Sequence, residues 1–321
     1  MKLLKHGLTA LCAALIAGTV FAQPYPSKTI RYIVAFPPGG GADVLSRILA
    51  PKLSEALGQQ VVIDNRGGAT GNIGAEIAAR SPRDGYTILF AYAGTHAINP
   101  SIYSKMPFKE SDFAPIIWLS EVPQVLVVHP SLPVKTVKDL IALAKSKPDE
   151  LTYGSSGSGA MNHLTAELFK LMTGTKMIHV PYKGGGPLAI ALLSGEVSLM
   201  LGEPASVVQQ VKAGKLRAIA VTSAKRALAM PELPTVAESG VPGYEYSTWY
   251  GLLSPAGVPR AIVNRLNKET VAALNDPEIR QRYIAQGVEP IPSTAAHFAA
   301  YLKSETEKWS KVIRAAKITL Q

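Results

Sequence analysis

The sequence predicts an α/β protein of two lobes, joined by two crossover strands, with a ligand cleft between the lobes. Three observations predict it. Apolar runs of strand length alternate with helical patterns, the signature of sheets covered by helices. Two longer extended runs interrupt that alternation. Gly-rich turns recur where a strand feeds a helix. With 321 residues, 47% hydrophobic and 17% charged, the chain is long enough for two domains.

The first segment stands apart. Lys2, Lys5 and His6 make a basic start, and Leu8 to Val20 is apolar but too short to span a bilayer. Val20-Phe21-Ala22 then places small residues at both recognition positions, which predicts a signal peptide over residues 1–22, cut after Ala22. The single cysteine, Cys12, lies inside it, and Leu11 stands where a lipoprotein site needs Gly or Ala. Residues 23–321 therefore contain no cysteine, which excludes a disulfide framework, a thiol nucleophile and a Cys-metal site. Export without disulfides suits the periplasm. The formal charge of +10 falls to +8 once Lys2 and Lys5 are removed. Its basic residues are scattered, which fits solubility and a mild attraction for anions and argues against nucleic acid.

The expected strands are Thr29–Phe36, Gln60–Asn65, Tyr86–Ala91, Leu151–Gly154, Met177–Val180, Val197–Leu201 and Leu216–Thr222. Helical patterns fall between them at Ala42–Leu57, Gly71–Arg80, Thr136–Lys147, Met161–Thr173 and Pro187–Ser194. Such alternation predicts parallel sheets. Pro51 lacks an N–H and should kink or split the first helix. The interrupting runs are Pro115–Pro130 and Tyr244–Pro255, each long enough to pass between lobes. If both cross, residues 23–124 plus 248–321 form one lobe and 125–247 the other. The hinge candidates are then Glu121–Val128 and Tyr246–Leu252. The segment from Pro259 onward reads as mostly helical and should pack back on the first lobe.

Four turns share one chemistry: Pro37-Pro38-Gly39-Gly40-Gly41, Arg66-Gly67-Gly68-Ala69-Thr70-Gly71, Gly154-Ser155-Ser156-Gly157-Ser158-Gly159 and Tyr182-Lys183-Gly184-Gly185-Gly186. Ligands of open α/β sheets sit beyond the carboxyl ends of the strands, where helix N-termini offer free N–H groups to anions. One such turn is ordinary turn chemistry; four converging on one cleft, two per lobe, predict an anion site. A nucleotide loop does not fit. No Lys-Ser/Thr follows Gly41, and Val44 holds the sixth position of the dinucleotide pattern.

Catalytic patterns are sparse. Gly154-Ser155-Ser156-Gly157 brings a nucleophilic serine to mind, but Ser158 occupies the final Gly position for Ser156. No histidine pair has metal-ligand spacing. His163 and His96 are each equally consistent with a carboxylate donor and with a packed side chain. Asp43, just inside the first helix, either turns away to serve the helix end or meets a cationic part of the ligand; Glu203 raises the same choice.

Several ordered motifs carry a resemblance across essentially all of residues 23–321. They include Phe36-Pro37-Pro38-Gly39-Gly40-Gly41-Ala42-Asp43, Asn65-Arg66-Gly67-Gly68-Ala69-Thr70-Gly71 and Asp84-Gly85-Tyr86-Thr87. Tyr153-Gly154-Ser155-Ser156-Gly157, Val180-Pro181-Tyr182-Lys183-Gly184-Gly185-Gly186-Pro187 and Met230 to Gly240 add to them, as do Trp249-Tyr250-Gly251-Leu252 and Pro255-Ala256-Gly257-Val258-Pro259. Together they resemble the tripartite tricarboxylate transporter substrate-binding proteins, the Bug family of Bordetella uptake proteins. The resemblance implies a type II periplasmic-binding-protein fold and a soluble receptor that closes on a small carboxylate and delivers it to membrane permease subunits. It implies contacts from Phe36, Gly40, Gly41, Ala42, Asp43, Ala69 and Thr95 in one lobe, and from Ser156, Gly157, Ser158, His163 and Tyr182 in the other. Glu203 lies near the family's ligand-facing turn. Ser198 stands where that family often has Asp, and Leu201 where it often has Phe, which leaves the ligand's identity open.

The expected function is thus a periplasmic carboxylate receptor, acting as a monomer, with no catalytic step, cofactor or metal. Two rivals remain at this point. One is a secreted hydrolase using Ser156 or Ser158, which needs a histidine within reach and a third group to orient it. The other is a ligand sensor for a two-component kinase, which shares the fold and differs in its partner.

Overall fold

The computed structural model describes residues 25–316 and residue 318. The expected signal peptide lies outside the described residues. The strands are β1 (Ile30–Val34), β2 (Val61–Asn65), β3 (Thr87–Tyr92), β4 (Phe113–Pro123), β5 (Val125–Val128), β6 (Thr152–Ser155), β7 (Ile178–Pro181), β8 (Leu199–Gly202), β9 (Arg217–Val221), β10 (Ser247–Pro255) and β11 (Glu289–Pro290). The helices are α1 (Gly41–Leu57), α2 (Asn72–Ala79), α3 (Asn99–Ile102), α4 (Val137–Ser146), α5 (Met161–Thr173), α6 (Gly185–Ser194), α7 (Pro204–Lys212), α8 (Arg260–Asn275), α9 (Pro277–Ala285) and α10 (Ala295–Ala315).

Two sheets form, a six-stranded one in the order β11-β4-β10-β3-β1-β2 and a five-stranded one in the order β7-β6-β8-β5-β9. They are mixed, not parallel throughout. β1, β2 and β3 run parallel, as do β6, β7 and β8. The exceptions involve the crossover strands: β10 is antiparallel to β3 and β4, the short edge strand β11 is antiparallel to β4, and β5 is antiparallel to β8 and β9. Parallel neighbours need a helical crossover, whereas the crossover strands arrive directly from the other sheet and insert against the local direction. β4 ends at Pro123 in the first sheet and β5 starts at Val125 in the second, so Gln124 alone separates them.

Thr222 ties the two passages together. Its hydroxyl accepts from the Gln124 N–H at 2.7 Å and lies 2.8 Å from the Tyr246 carbonyl, while its own N–H donates to the Gln124 carbonyl at 2.9 Å. Thr222 is fully buried, so these bonds are shielded from water.

α1 corrects one expectation. It runs unbroken through Pro51. Leu49, Ala50 and Leu53 are buried while Pro51 is exposed, so the carbonyl left without a donor faces solvent. A second correction concerns the C-terminal segment. α8 and α9 pack on the six-stranded sheet through Val263, Leu266, Ile279 and Tyr283. α10 does more: its Phe298, Leu302 and Trp309 share one core cluster with Trp249 and with Leu126 and Val128 of the second sheet. It therefore braces both sheets.

The crossover region also collects acidic groups. Glu121 and Glu289 face each other across the antiparallel β4–β11 pair. Burial raises the Glu121 carboxyl to about 7, helped by the nearby charges of Glu289 and Glu245. A raised carboxyl favours the protonated folded state, so its stabilising effect is complete below the ordinary value of 4.5 and is lost as pH climbs through about 7. Glu121→Gln is expected to raise the thermal midpoint at pH 8 and to flatten the decline between pH 4.5 and 7. Melts across that range check it, and an unchanged slope would refute the assignment.

Candidate functional site

A cavity of about 400 Å3 lies between the two sheets. Thr70, Tyr92 and Asn99 reach it from one side, Ser156, Asn162 and Glu203 from the other, and Gln124 from the passage between them. A neighbouring cavity of about 100 Å3 is lined by Gly41, Tyr250 and, again, Glu203. A larger groove of about 810 Å3, lined by Arg47 to Ile63, lies on α1 and β2 alone and joins nothing from the second sheet.

Helix starts build the main cavity. Thr70 precedes α2, Gly159 to Asn162 open α5, Gly185 opens α6, and Glu203 and Ser206 open α7. The N-cap residues of these helices, Gly71, Ala160, Gly184 and Glu203, make no side-chain cap. Elsewhere Thr136, Asp276 and Thr294 cap α4, α9 and α10 with side-chain oxygens. The positive ends of these helix dipoles thus meet no side-chain cap, although the Asn72 N–H bonds the Ala69 carbonyl, the Ser206 N–H bonds the Glu203 carbonyl and Pro204 has no N–H. Among the described residues no Lys, Arg or His lines either cavity, and Glu203 is the one charged side chain that does.

The turn before α2 is unusual in its backbone. Ala69 and Thr70 have φ of 47° and 54°, left-handed values that non-Gly residues rarely adopt, and Gly71 follows at 89°. Thr95 holds this turn, its hydroxyl donating to the Thr70 carbonyl at 2.9 Å, and Asn99 adds a bond to the same oxygen at 3.3 Å. A Cβ on Gly71 would fall 2.4 Å from the Thr95 hydroxyl, so the closeness of the two turns depends on glycine.

Asp43 is 2% exposed, and its carboxylate is occupied by its own loop. One oxygen accepts from the Gly39 N–H and from Arg47, both at 2.9 Å; the other accepts from the Asn65 amide at 3.0 Å. Asn65 also donates to the Phe36 carbonyl at 3.0 Å. The Arg47 bond, backed by those from Gly39 and Asn65, holds the Asp43 carboxyl down at about 2 against its burial. Of the two roles left open by the sequence, this geometry matches the helix-end one.

The remaining expected residues sort as follows. Ser156 and Glu203 line the main cavity and Gly41 the smaller one. Ala69 sits beside Thr70, and Gly40 immediately precedes α1. Phe36 packs edge-on against Tyr92 at 5.4 Å. Ala42 is buried in the core of the first sheet and Thr95 is 1% exposed, so their side chains support the wall from behind. Gly157 and exposed Ser158 belong to the loop that carries Ser156. The Tyr182 hydroxyl donates to Glu196 at 2.7 Å and is not among the lining groups. His163 accepts from the Gly159 N–H at 3.0 Å and stacks on His179 at 3.8 Å, so it shapes the loop and does not line the cavity. His96 is a core side chain, edge-on to Phe113 at 5.0 Å, with burial pushing it down to about 3.

Sequence reasoning passed over Thr70, Tyr92, Asn99, Gln124 and Asn162, all of which line the cavity. A signal existed for Asn162 alone, six residues after Ser156: its side-chain oxygen accepts from both the N–H and the hydroxyl of Ser156 at 3.1 and 3.2 Å.

A hydrolytic reading finds no support in this arrangement. Ser156 donates to Asn162, not to a histidine. The close serine–histidine contacts are Ser155 to His179 at 2.6 Å, where Ser155 is fully buried, and Ser131 to His129 at 2.7 Å, and none of these four residues lines the cavity. Burial, then the neighbouring His163, pushes the His179 imidazole down to about 4. Among the described residues no cluster of His, Asp and Glu is arranged to hold a metal, and no helix is long and apolar enough to cross a membrane.

The profile of the tripartite tricarboxylate transporter family receptor matches residues 45–318. The chain belongs to that family. Among similar members, the BugT protein of Bordetella pertussis is 36% identical over 306 residues, covering 95% of this chain and 94% of its own. The solved structure of Rhodopseudomonas palustris Rpa4515 with adipate superposes with a TM-score of 0.73 at 40% identity, covering 92% of this receptor and 99% of its own chain. MatC from the same organism, with bound malate, gives a TM-score of 0.69 at 28% identity and covers 90% and 100%. The type II binding-protein architecture expected of this receptor is therefore shown. Of the two positions expected to depart from the family pattern, Leu201 lines the cavity, whereas Ser198 bonds Thr152 at the β6–β8 junction.

Proposed function

We propose that this receptor captures a small carboxylate in the cavity between its lobes and hands it to the membrane permease subunits of a tripartite transporter, with no catalytic step. The observation that carries the reading is the set of four uncapped helix starts around a cavity without a basic side chain. Backbone N–H groups at helix N-termini bind carboxylates without a counter-charge from Lys or Arg. Adipate and malate in two relatives support the ligand class.

In this proposal residues 23–124 and 248–321 form one lobe and 125–247 the other, and Gln124, Thr222 and the start of β10 form the hinge. A carboxylate touching helix starts from both lobes binds the closed form better than the open one, which is what shifts the balance. Residues 1–22 act as the export signal, and the released chain works as a periplasmic monomer. Ser156, Gly41, the Ala69–Thr70 turn and Glu203 meet the ligand. Phe36, Asp43, Thr95 and His163 hold the loops that do.

Thermal melting of residues 23–321 against mono-, di- and tricarboxylates, aromatic acids and amino acids tests it. Ligand at a hundredfold excess over its Kd should add about 2.7 kcal/mol, a rise of several degrees. No shift with any carboxylate overturns the reading. Co-purification with the permease subunits tests the partner.

A further inference from the structure

Glu203 is out of place in an anion cleft. It lines both the main and the smaller cavity. Among the described residues no Lys, Arg or His nitrogen lies within 4.0 Å of its carboxylate, and no side-chain donor bonds to it. Partial desolvation raises its carboxyl, which disfavours the ionised form unless a positive or N–H-bearing group stands beside it. Glu203 keeps solvent access at the rim of the cavity, and a carboxylate there, beside the expected carboxylate of a ligand, repels that ligand unless something positive stands between them.

Two further features near Glu203 favour a positive or N–H-bearing group. The first is Gln124, 2% exposed and lining the same cavity, whose side-chain oxygen has no hydrogen-bond partner. A buried acceptor left empty costs about 1–3 kcal/mol, so it marks a place where a ligand donor is favoured. The second is an aromatic wall. Tyr92 lines the main cavity and Tyr250 the smaller one, and their rings stack at 5.9 Å, with Phe36 edge-on to Tyr92. Aromatic rings beside a carboxylate are the setting in which ammonium groups are bound.

We infer that the ligand is an ammonium-bearing carboxylate, with its cationic nitrogen held by Glu203 and the Gln124 side-chain oxygen beside the Tyr92–Tyr250 wall. The carboxylate end goes to the uncapped helix starts. This rests on the carboxylate reading above and narrows it. Glu203 sets specificity: it rejects plain dicarboxylates by charge repulsion and selects their amino counterparts. Discrimination by an unfavourable contact of this kind is a common source of specificity.

The test compares pairs of probes that share a carbon skeleton: propionate and β-alanine, valerate and 5-aminovalerate, succinate and aspartate, glutarate and glutamate. Binding to residues 23–321 is measured by calorimetry, in wild type and in Glu203→Gln, with the unliganded melt of each as a check of folding. The ammonium member of at least one pair should bind at least tenfold more tightly than its plain partner, and in Glu203→Gln that ratio should fall toward one. Plain members binding as tightly as amino members, or more tightly still in Glu203→Gln, overturns the inference and leaves the carboxylate reading standing. Failure of every member, together with every other carboxylate, overturns both.

Discussion

Gly74→Ala should destabilise the receptor by about 3 kcal/mol, among the largest effects expected of a one-carbon change. Gly74 lies on α2, and a Cβ there would come within 2.7 Å of the Ala35 Cβ, 2.8 Å of the Ala35 Cα and 2.8 Å of the Arg66 carbonyl oxygen. Two of those three atoms are backbone and the third is a methyl carbon with no rotamer to change, so relief requires moving α2 away from β1. Such a shift also carries the Ala69–Thr70 turn, which precedes α2 directly. Denaturant melts should therefore show lost stability, and calorimetry should show weakened ligand binding in the fraction that still folds. A midpoint equal to wild type would mean that α2 and β1 are not packed as described.

Asp43→Asn should cost about 2 kcal/mol at pH 7. The variant keeps the shape but loses the charge that accepts from Gly39, Arg47 and Asn65. Arg47 is more than half exposed, so its share is reduced by solvent, and the part-buried Gly39 and Asn65 bonds to the buried carboxylate add the rest. The pH dependence has a definite sign. A carboxyl held at about 2 against an ordinary 3.8 contributes stability that is complete above the ordinary value and disappears as pH falls through about 2. Wild type and variant should thus converge on acidification to pH 2 and differ at neutrality. A difference that persists unchanged at pH 2 would assign the loss to packing. The loop from Phe36 to Gly41 hangs on these bonds, so the variant should also bind ligand more weakly.

Much of this arrangement was readable because it is local. The strand–turn–helix rhythm depends on neighbours in sequence, and so do the glycines that let helix starts approach a ligand. The expected elements at Gln60–Asn65, Met161–Thr173 and Pro187–Ser194 fall within two residues of the observed ones. What stayed hidden depends on distant contacts. Thr70 faces the cavity because two adjacent residues adopt left-handed backbone, and only Thr95 and Asn99 from another element explain why. Gln124 looks like any polar residue between two strands until Thr222 fixes its backbone at the junction of the sheets. Tyr182 read as a ligand contact from its turn, but Glu196, fourteen positions away, takes its hydroxyl. Pro51 read as a helix breaker because the local rule does not include which side of the helix is wet.

The bare helix starts around the cavity carry one more consequence. A side-chain cap contributes roughly 1 kcal/mol to a helix, and four helices forgo it here. If the proposed carboxylate is the missing partner, part of the hydrogen bonding at these helix starts comes from outside the chain. A melting temperature measured in acetate, formate or sulfate buffer then describes the protein together with its medium. Two laboratories using different buffers would report different stabilities for one sequence, and dialysis into a weakly coordinating salt is needed before the polypeptide alone is being measured.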